Sequence, residues 1–360
     1  MESIFTAAAL AVLIILAGAA PGVQAQDEIE TANGNSSASP APVTGNVPIV
    51  VYAEGGTVDD FAATVLLGEM HKQGIINFVG DIVENGDSVL PSSIVVAQKF
   101  HVLANITDVP TLLSQTNAYN PFPWGYRTDS LEITTLPEYQ EIPCDECTFQ
   151  DLDNAMDFPN GEDFLKEVLQ NAEDGSITYL VTAAMSNIAA VLRENPELES
   201  KVKEILWMGG AVNVPGNLLD PTVSSELTIW NDKAEWNVYS DPFAAAYIFE
   251  NTSIPILMFP LDISDQVRSR CHPHCHPSPH PDLRSLTPFL TSLSCSFAQT
   301  PVNGTFMDSL NATVSGLGAS PPTDMDKLMY AMYDQIAAPQ PFYRLWNEVA
   351  AAYMSPALQK

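Results

Sequence analysis

A mostly parallel, Rossmann-like α/β sheet with helices on both faces is predicted by three observations. Strand-like runs alternate with helical patterns through most of the 360 residues. The strand-like runs are continuously apolar rather than alternating, as strands covered on both faces read. And one run, Val50-Val51-Tyr52-Ala53-Glu54, ends in a carboxylate, two glycines and then Asp59-Asp60 at the start of an apolar-periodic segment. That order puts Glu54, Asp59 and Asp60 at the carboxyl end of a buried strand, where open α/β sheets bind ligands.

Each element follows from its own residues. The pattern predicts strands over 48–53, 77–83, 177–182, 205–208 and 254–259. Helices are predicted over 59–72, 92–103, 185–194 and 242–250. Two stretches, about 114–160 and 265–285, read as long irregular segments, which in compact domains are functional or disordered. No internal repeat is visible. His71 and His101 fall within helical patterns and read as surface or packing residues.

Composition narrows the function. There are 14 basic and 44 acidic residues, a formal charge of −30. Binding a nucleic-acid backbone needs clustered Lys and Arg, so that class is excluded as an expectation. An acidic membrane surface would repel such a chain, and solubility is the plain reading of its charge. Residues 1–25 resemble a secretory signal peptide, with an apolar run over 7–20 and Val23-Gln24-Ala25 as a cleavage site. Residues 26–46 form a polar, low-complexity linker, and 47–360 the folded domain. Sequons at Asn35, Asn105, Asn251, Asn303 and Asn311 agree with a secreted glycoprotein. Of five cysteines, Cys144 and Cys147 have redox-motif spacing, but they lie in a Pro- and Asp-rich stretch. A structural disulfide is therefore expected.

Three carboxylates on one strand-to-helix turn have a bland reading, because acids in a first helical turn complement its dipole. Together they suggest a hard-cation site, since oxygen-rich clusters suit calcium or magnesium. Cys271-His272-Pro273-His274-Cys275-His276-Pro277-Ser278-Pro279-His280 offers zinc-ligand residue types. Its prolines and tight spacing match no common zinc site, so it reads as a disordered insertion. The aromatic cluster Phe122-Pro123-Trp124-Gly125-Tyr126-Arg127 could stack on a base or cover the sheet, and the second is the commoner fate.

The acidic turn resembles the Asp-x-Asp-x-Gly-x-Asp-Asp signature of the inosine-uridine-preferring nucleoside hydrolase family. Other segments resemble that family's motifs in order: Val181-Thr182-Ala183-Ala184-Met185-Ser186-Asn187, Trp207-Met208-Gly209-Gly210-Ala211, Gly216-Asn217, Ala234-Glu235-Trp236-Asn237, Asp241-Pro242, Leu261-Asp262-Ile263-Ser264 and Tyr333-Asp334-Gln335-Ile336-Ala337. The resemblance covers roughly 47–340. It implies calcium-dependent cleavage of the N-glycosidic bond of a ribonucleoside or related N-riboside, with carboxylates stabilising positive charge on the sugar. It assigns Glu54 as base and metal ligand, Asp59 to ribose, and Asp60, the Thr182 carbonyl and Asp334 to the metal. Asn217, Glu235 and Asn237 fall at ribose contacts. Since the carbonyl is the implied ligand, the Thr182 side chain is expected to matter little. A homo-oligomer is compatible with this reading. The sequence departs from the pattern at several points. Tyr52 stands at the first Asp, Glu54 replaces Asp, and Val58 is the extra residue in the turn. Val96 stands near an expected Asn, and Tyr333 replaces the His that would protonate the leaving base. These departures leave open a weakened relative that binds a ribosylated ligand.

Overall fold

A computed structural model describes residues 47–90, 92–120, 122, 127–144, 147, 158–218, 231, 233–264, 324–337, 347, 350–351 and 353–354. The side chains of Asp326, Asp334 and Ala337 are not among the described ones. The leader and linker, and the Cys-His-Pro segment, fall outside these residues.

Six strands form one all-parallel sheet: β1 (Ile49–Glu54), β2 (Asn77–Asn85), β3 (Thr111–Asn117), β4 (Ile177–Val181), β5 (Val202–Met208) and β6 (Ile256–Phe259). Their spatial order is β3-β2-β1-β4-β5-β6, every neighbouring pair parallel. The chain thus winds outward from β1 in one direction, then from β4 in the other. The crevice at the carboxyl ends of β1 and β4 is the topological switch point, where such sheets bind ligands.

Period-two alternation sorts β1 between the two cores. Val50 and Tyr52 enter one apolar cluster, with Phe61, Leu67 and Met70 of helix α1 (Val58–Lys72) and Ile94 and Phe100 of α2 (Ser92–Ala104). Phe61 stacks on Phe100 with ring centroids 5.2 Å apart. Val51 and Ala53 enter the other cluster, which holds Tyr179, Trp207 and residues from three more helices. Those helices are α5 (Gly161–Asn171), α6 (Ser186–Glu194) and α8 (Pro242–Asn251).

The supposed irregular stretch from about 114 contains structure. It holds the end of β3, α3 (Asp129–Thr135), α4 (Pro137–Gln140) and, just beyond it, α5. β3 is an edge strand in which only Leu112, Leu113 and Ser114 are buried, so its apolar signal is short. α5 is amphipathic, burying Leu165 and Leu169, with the Asn160 side chain accepting the Asp163 N–H at its start. A short helix α7 (Trp236–Ser240) precedes α8, and α9 (Leu261–Ser264) follows β6. Helix α10 (Asp324–Met332) continues into a wider turn over Tyr333–Ala337.

Cys144 and Cys147 are joined by a disulfide. His71 is partly exposed beside Asp108. His101 is buried, its Nε2 2.8 Å from Asp81 and its Nδ1 2.9 Å from the Val109 carbonyl.

Candidate active site

β1 ends in Glu54, and the chain reaches α1 through Gly55, Gly56 and Thr57. The glycines are required. A Cβ on Gly55 would lie 2.4 Å from Asp87 Oδ2, and Gly56 has φ +81° with Ser93 Cβ only 2.6 Å from where its own Cβ would be. This turn brings Glu54, Asp59 and Asp60 into the switch-point crevice, all three buried.

Asp60 is held from every side. Its Oδ2 accepts the Gly55 N–H (3.0 Å), the Thr57 N–H (2.9 Å) and the Thr57 hydroxyl (2.8 Å). The reach back to Thr57 caps α1. Its Oδ1 accepts the Thr182 hydroxyl at 2.6 Å and the Asn347 amide at 2.6 Å. Tyr52 stands behind, its hydroxyl 2.7 Å from Thr182 Oγ1. The Thr182 side chain, expected to matter little, is therefore a link between β1 and α1, because its Oγ1 connects Tyr52 to Asp60.

Glu54 is held on one oxygen. Oε2 accepts the Gly56 N–H at 2.9 Å, while Oε1 is buried with no hydrogen-bond partner among the described residues. Burial, reinforced by the charges of Asp81 and Asp60, pushes the Glu54 carboxyl well above the usual carboxylate range. Burial also raises Asp60, although its hydrogen bonds with Thr182, Thr57 and Gly55 act against that rise. Asp59 Oδ1 lies 2.7 Å from the Thr57 hydroxyl, whose single hydrogen is shared between Asp59 and Asp60.

The remaining predicted residues line the β4 and β5 side. The Asn237 amide donates to the Thr182 carbonyl (3.0 Å) and the Met208 carbonyl (2.9 Å). Glu235 caps α7, accepting the N–H groups of Asn237, Val238 and Gly210. Asn217 accepts the Trp236 N–H at 2.8 Å. Tyr333 is buried in the first apolar cluster.

Two participants escaped the sequence reading. Asp87 lies just past the end of β2, buried against Gly55, and accepts the Trp236 indole N–H at 2.8 Å. Burial and the charge of Asp60 push its carboxyl well up. A strand ending in Glu-Asn-Gly-Asp is the same signal that marked Glu54, so Asp87 was legible. Asn347 lies 287 residues from Asp60 and carries no local signal. Phe122 is buried and stacks on Trp236 at 3.8 Å between centroids, so it backs a wall rather than presenting a free face.

Calcium takes six to eight oxygen ligands. Of the described groups assigned to it, Asp60 has donors on both oxygens, and the Thr182 carbonyl already accepts from Asn237. Only Glu54 keeps an unpartnered oxygen. Among the described residues no group of three or more His, Cys, Asp or Glu side chains is arranged to hold a metal. The described donor set does not fit calcium.

Comparison with known proteins fixes the lineage. The model of the family described as inosine-uridine preferring nucleoside hydrolase matches residues 54–350. An uncharacterized protein of Schizosaccharomyces pombe is 36% identical over 107 residues, 30% of this chain and 30% of that protein. A pyrimidine-specific ribonucleoside hydrolase of Klebsiella pneumoniae is 32% identical over 106 residues, 29% of each chain. These alignments thus span less than a third of either curated relative. The crystal structure of an inosine-uridine preferring nucleoside hydrolase from Bacillus anthracis shares the fold, with TM-score 0.59 and 22% identity over 86% of this chain and 82% of that one. With the family match running from Glu54 at the switch point to beyond Asn347, this chain belongs to the inosine-uridine preferring nucleoside hydrolase family.

Proposed function

We propose that this chain is an N-ribohydrolase that cleaves the N-glycosidic bond of a ribonucleoside or related N-riboside. The observation that carries the reading is Glu54 Oε1, a buried carboxylate oxygen without a hydrogen-bond partner among the described residues, at the switch point of the sheet. A buried orphan acceptor calls for a ligand or a proton. A raised carboxyl also brings a general base closer to the operating pH.

In this reading a water bound at Glu54 attacks C1′ of the ribose and loses its proton to Oε1. The C1′–N bond breaks, and its electron pair leaves with the base. Positive charge builds on the sugar as in other glycoside hydrolyses, and Asp59 is the acid that the family resemblance sets beside the ribose. Asp59, Asn217, Glu235 and Asn237 are the residues through which the family resemblance reads the ribose hydroxyls. No step runs through calcium, because the described donors do not fit it.

The test is a panel of nucleosides and p-nitrophenyl riboside assayed for free ribose, with and without chelator. Ribose release is expected, fastest from the activated riboside, whose leaving group needs no proton. A second reading, a binding protein for a ribosylated ligand, is favoured by Tyr333. That residue stands where the resemblance places the leaving-group acid, and it is buried among apolar side chains. Saturable riboside binding without any cleavage, even of the activated substrate, would select it.

Secretion belongs to the same proposal. The leader-like residues 1–25, the Cys144–Cys147 disulfide and the exposed sequons at Asn105 and Asn251 support it. A glycosidase-sensitive mass shift of protein recovered from medium tests it. Among the described residues no helix is long and apolar enough to cross a membrane.

A further inference from the structure

We propose that in this chain hydrogen-bond donors do the work of a bound cation at the acidic turn, so that Asp60 is a structural hub without affinity for divalent metal. The inference rests on reading this turn as the ribose-binding end of the sheet, and it concerns how the turn holds its charge.

A carboxylate has about four lone-pair sites on its two oxygens. Around Asp60 these are filled. The N–H groups of Gly55 and Thr57 take Oδ2, and the Thr182 hydroxyl and the Asn347 amide take Oδ1. The Thr57 hydroxyl adds a further contact to Oδ2 at 2.8 Å. The donors are themselves oriented. The Thr182 hydroxyl gives its single hydrogen to Asp60, so it accepts that of Tyr52, producing a relay from Tyr52 through Thr182 to Asp60. Asn347 can only present its NH₂ to a carboxylate, because its carbonyl would repel it.

A cation at Oδ1 would have to displace Asn347 or the Thr182 hydroxyl, leaving a buried donor unpaired. Each such group would lose its water without gaining a partner. The Thr182 carbonyl accepts the Asn237 amide at 3.0 Å on one of its two lone pairs. Tyr52 and Asn347 are thus the residues that distinguish this turn from a cation site.

The experiment is a calorimetric titration of the full chain with calcium, and a luminescence titration with terbium, each beside a thermal scan with and without chelator. The expected result is no saturable one-to-one binding tighter than about 1 mM, the weak end of extracellular calcium modules, and an unchanged melting temperature. Asn347→Asp removes a donor and adds an acceptor, so it should gain terbium binding at least about tenfold over the parent, or about 1.4 kcal/mol. Should that variant fail to fold, Tyr52→Asp serves the same purpose. Stoichiometric calcium binding by the parent chain, raising its melting temperature and lost in Asp60→Asn, would overturn the proposal. The ribose assay is read separately. Calcium binding with ribose release overturns this inference alone, whereas no binding and no release overturns the hydrolase reading alone.

Discussion

Glu54 at the end of β1 and Asp60 in the first turn of α1 are both fully buried, and both are raised by burial. Their surroundings are opposite. Asp60 collects donors from Gly55, Thr57, Thr182 and Asn347, drawn from the turn itself, the end of β4 and a distant part of the chain. Glu54 collects one, the Gly56 N–H, and leaves Oε1 bare. A carboxylate whose lone pairs are all answered anchors backbone, while one answered on a single side is set to act on something else. Residue type and burial alone would not separate the two, and the census of donors does.

The largest expected effect breaks the comparison at Glu54. Glu54→Gln keeps the shape and the acceptor for Gly56 but removes the base. Ribose release should fall about 10²–10⁴-fold, with stability within about 1 kcal/mol of the parent by urea denaturation. Equal loss of fold and activity would make Glu54 a structural residue like its neighbour.

Next is Asp60→Ala, which strands several buried donors at once. A loss of at least about 3 kcal/mol in urea unfolding is expected. A loss below about 1 kcal/mol would mean that water or a rearranged turn replaces the carboxylate.

A third effect tests burial without the crevice. Glu84 in β2 is buried, accepts the Asn187 N–H, and is pushed well above its ordinary range, first by burial and then by neighbouring acids. A folded carboxyl raised above its unfolded value binds more protons in the native state. Stability is therefore highest below the ordinary carboxylate range, about 4, and falls as pH rises through the raised folded value. Glu84→Gln removes this contribution, so thermal scans from about pH 5 to about pH 8 should show a flatter decline than in the parent. A steeper decline would reverse the sign of the argument.

The smallest effect is Tyr52→Phe. It cuts the relay at its outer end and leaves the Thr182 hydroxyl on Asp60. About 1 kcal/mol of stability should be lost, with ribose release within about twofold of the parent, a change of roughly 0.4 kcal/mol in barrier.

Much of this was legible in the sequence, and for specific reasons. Apolar runs such as Val50–Ala53 and Ile177–Val181 made the buried central strands plain, because strands covered on both faces need no alternation. The edge strand β3 was missed because only Leu112, Leu113 and Ser114 of its seven residues are buried. Glu54, Asp59 and Asp60 stood out because an acidic turn after an apolar strand is a local pattern. Asp87 offered the same pattern with one more residue between strand and acid. Asn347 was not legible, since its role depends on a chain return across 287 positions that no window of sequence contains. The side-chain role of Thr182 was also hidden, because it depends on Tyr52 of the neighbouring strand, which pairs with Leu180, reaching its hydroxyl across 130 positions of sequence.

The most direct measurement is free ribose released from p-nitrophenyl riboside by the parent chain and by Glu54→Gln, both verified as folded by matching urea unfolding curves. The account predicts release by the parent and a fall of about 10²–10⁴-fold in the variant. Release by Glu54→Gln at the parent's rate, or none from the parent itself, would contradict it.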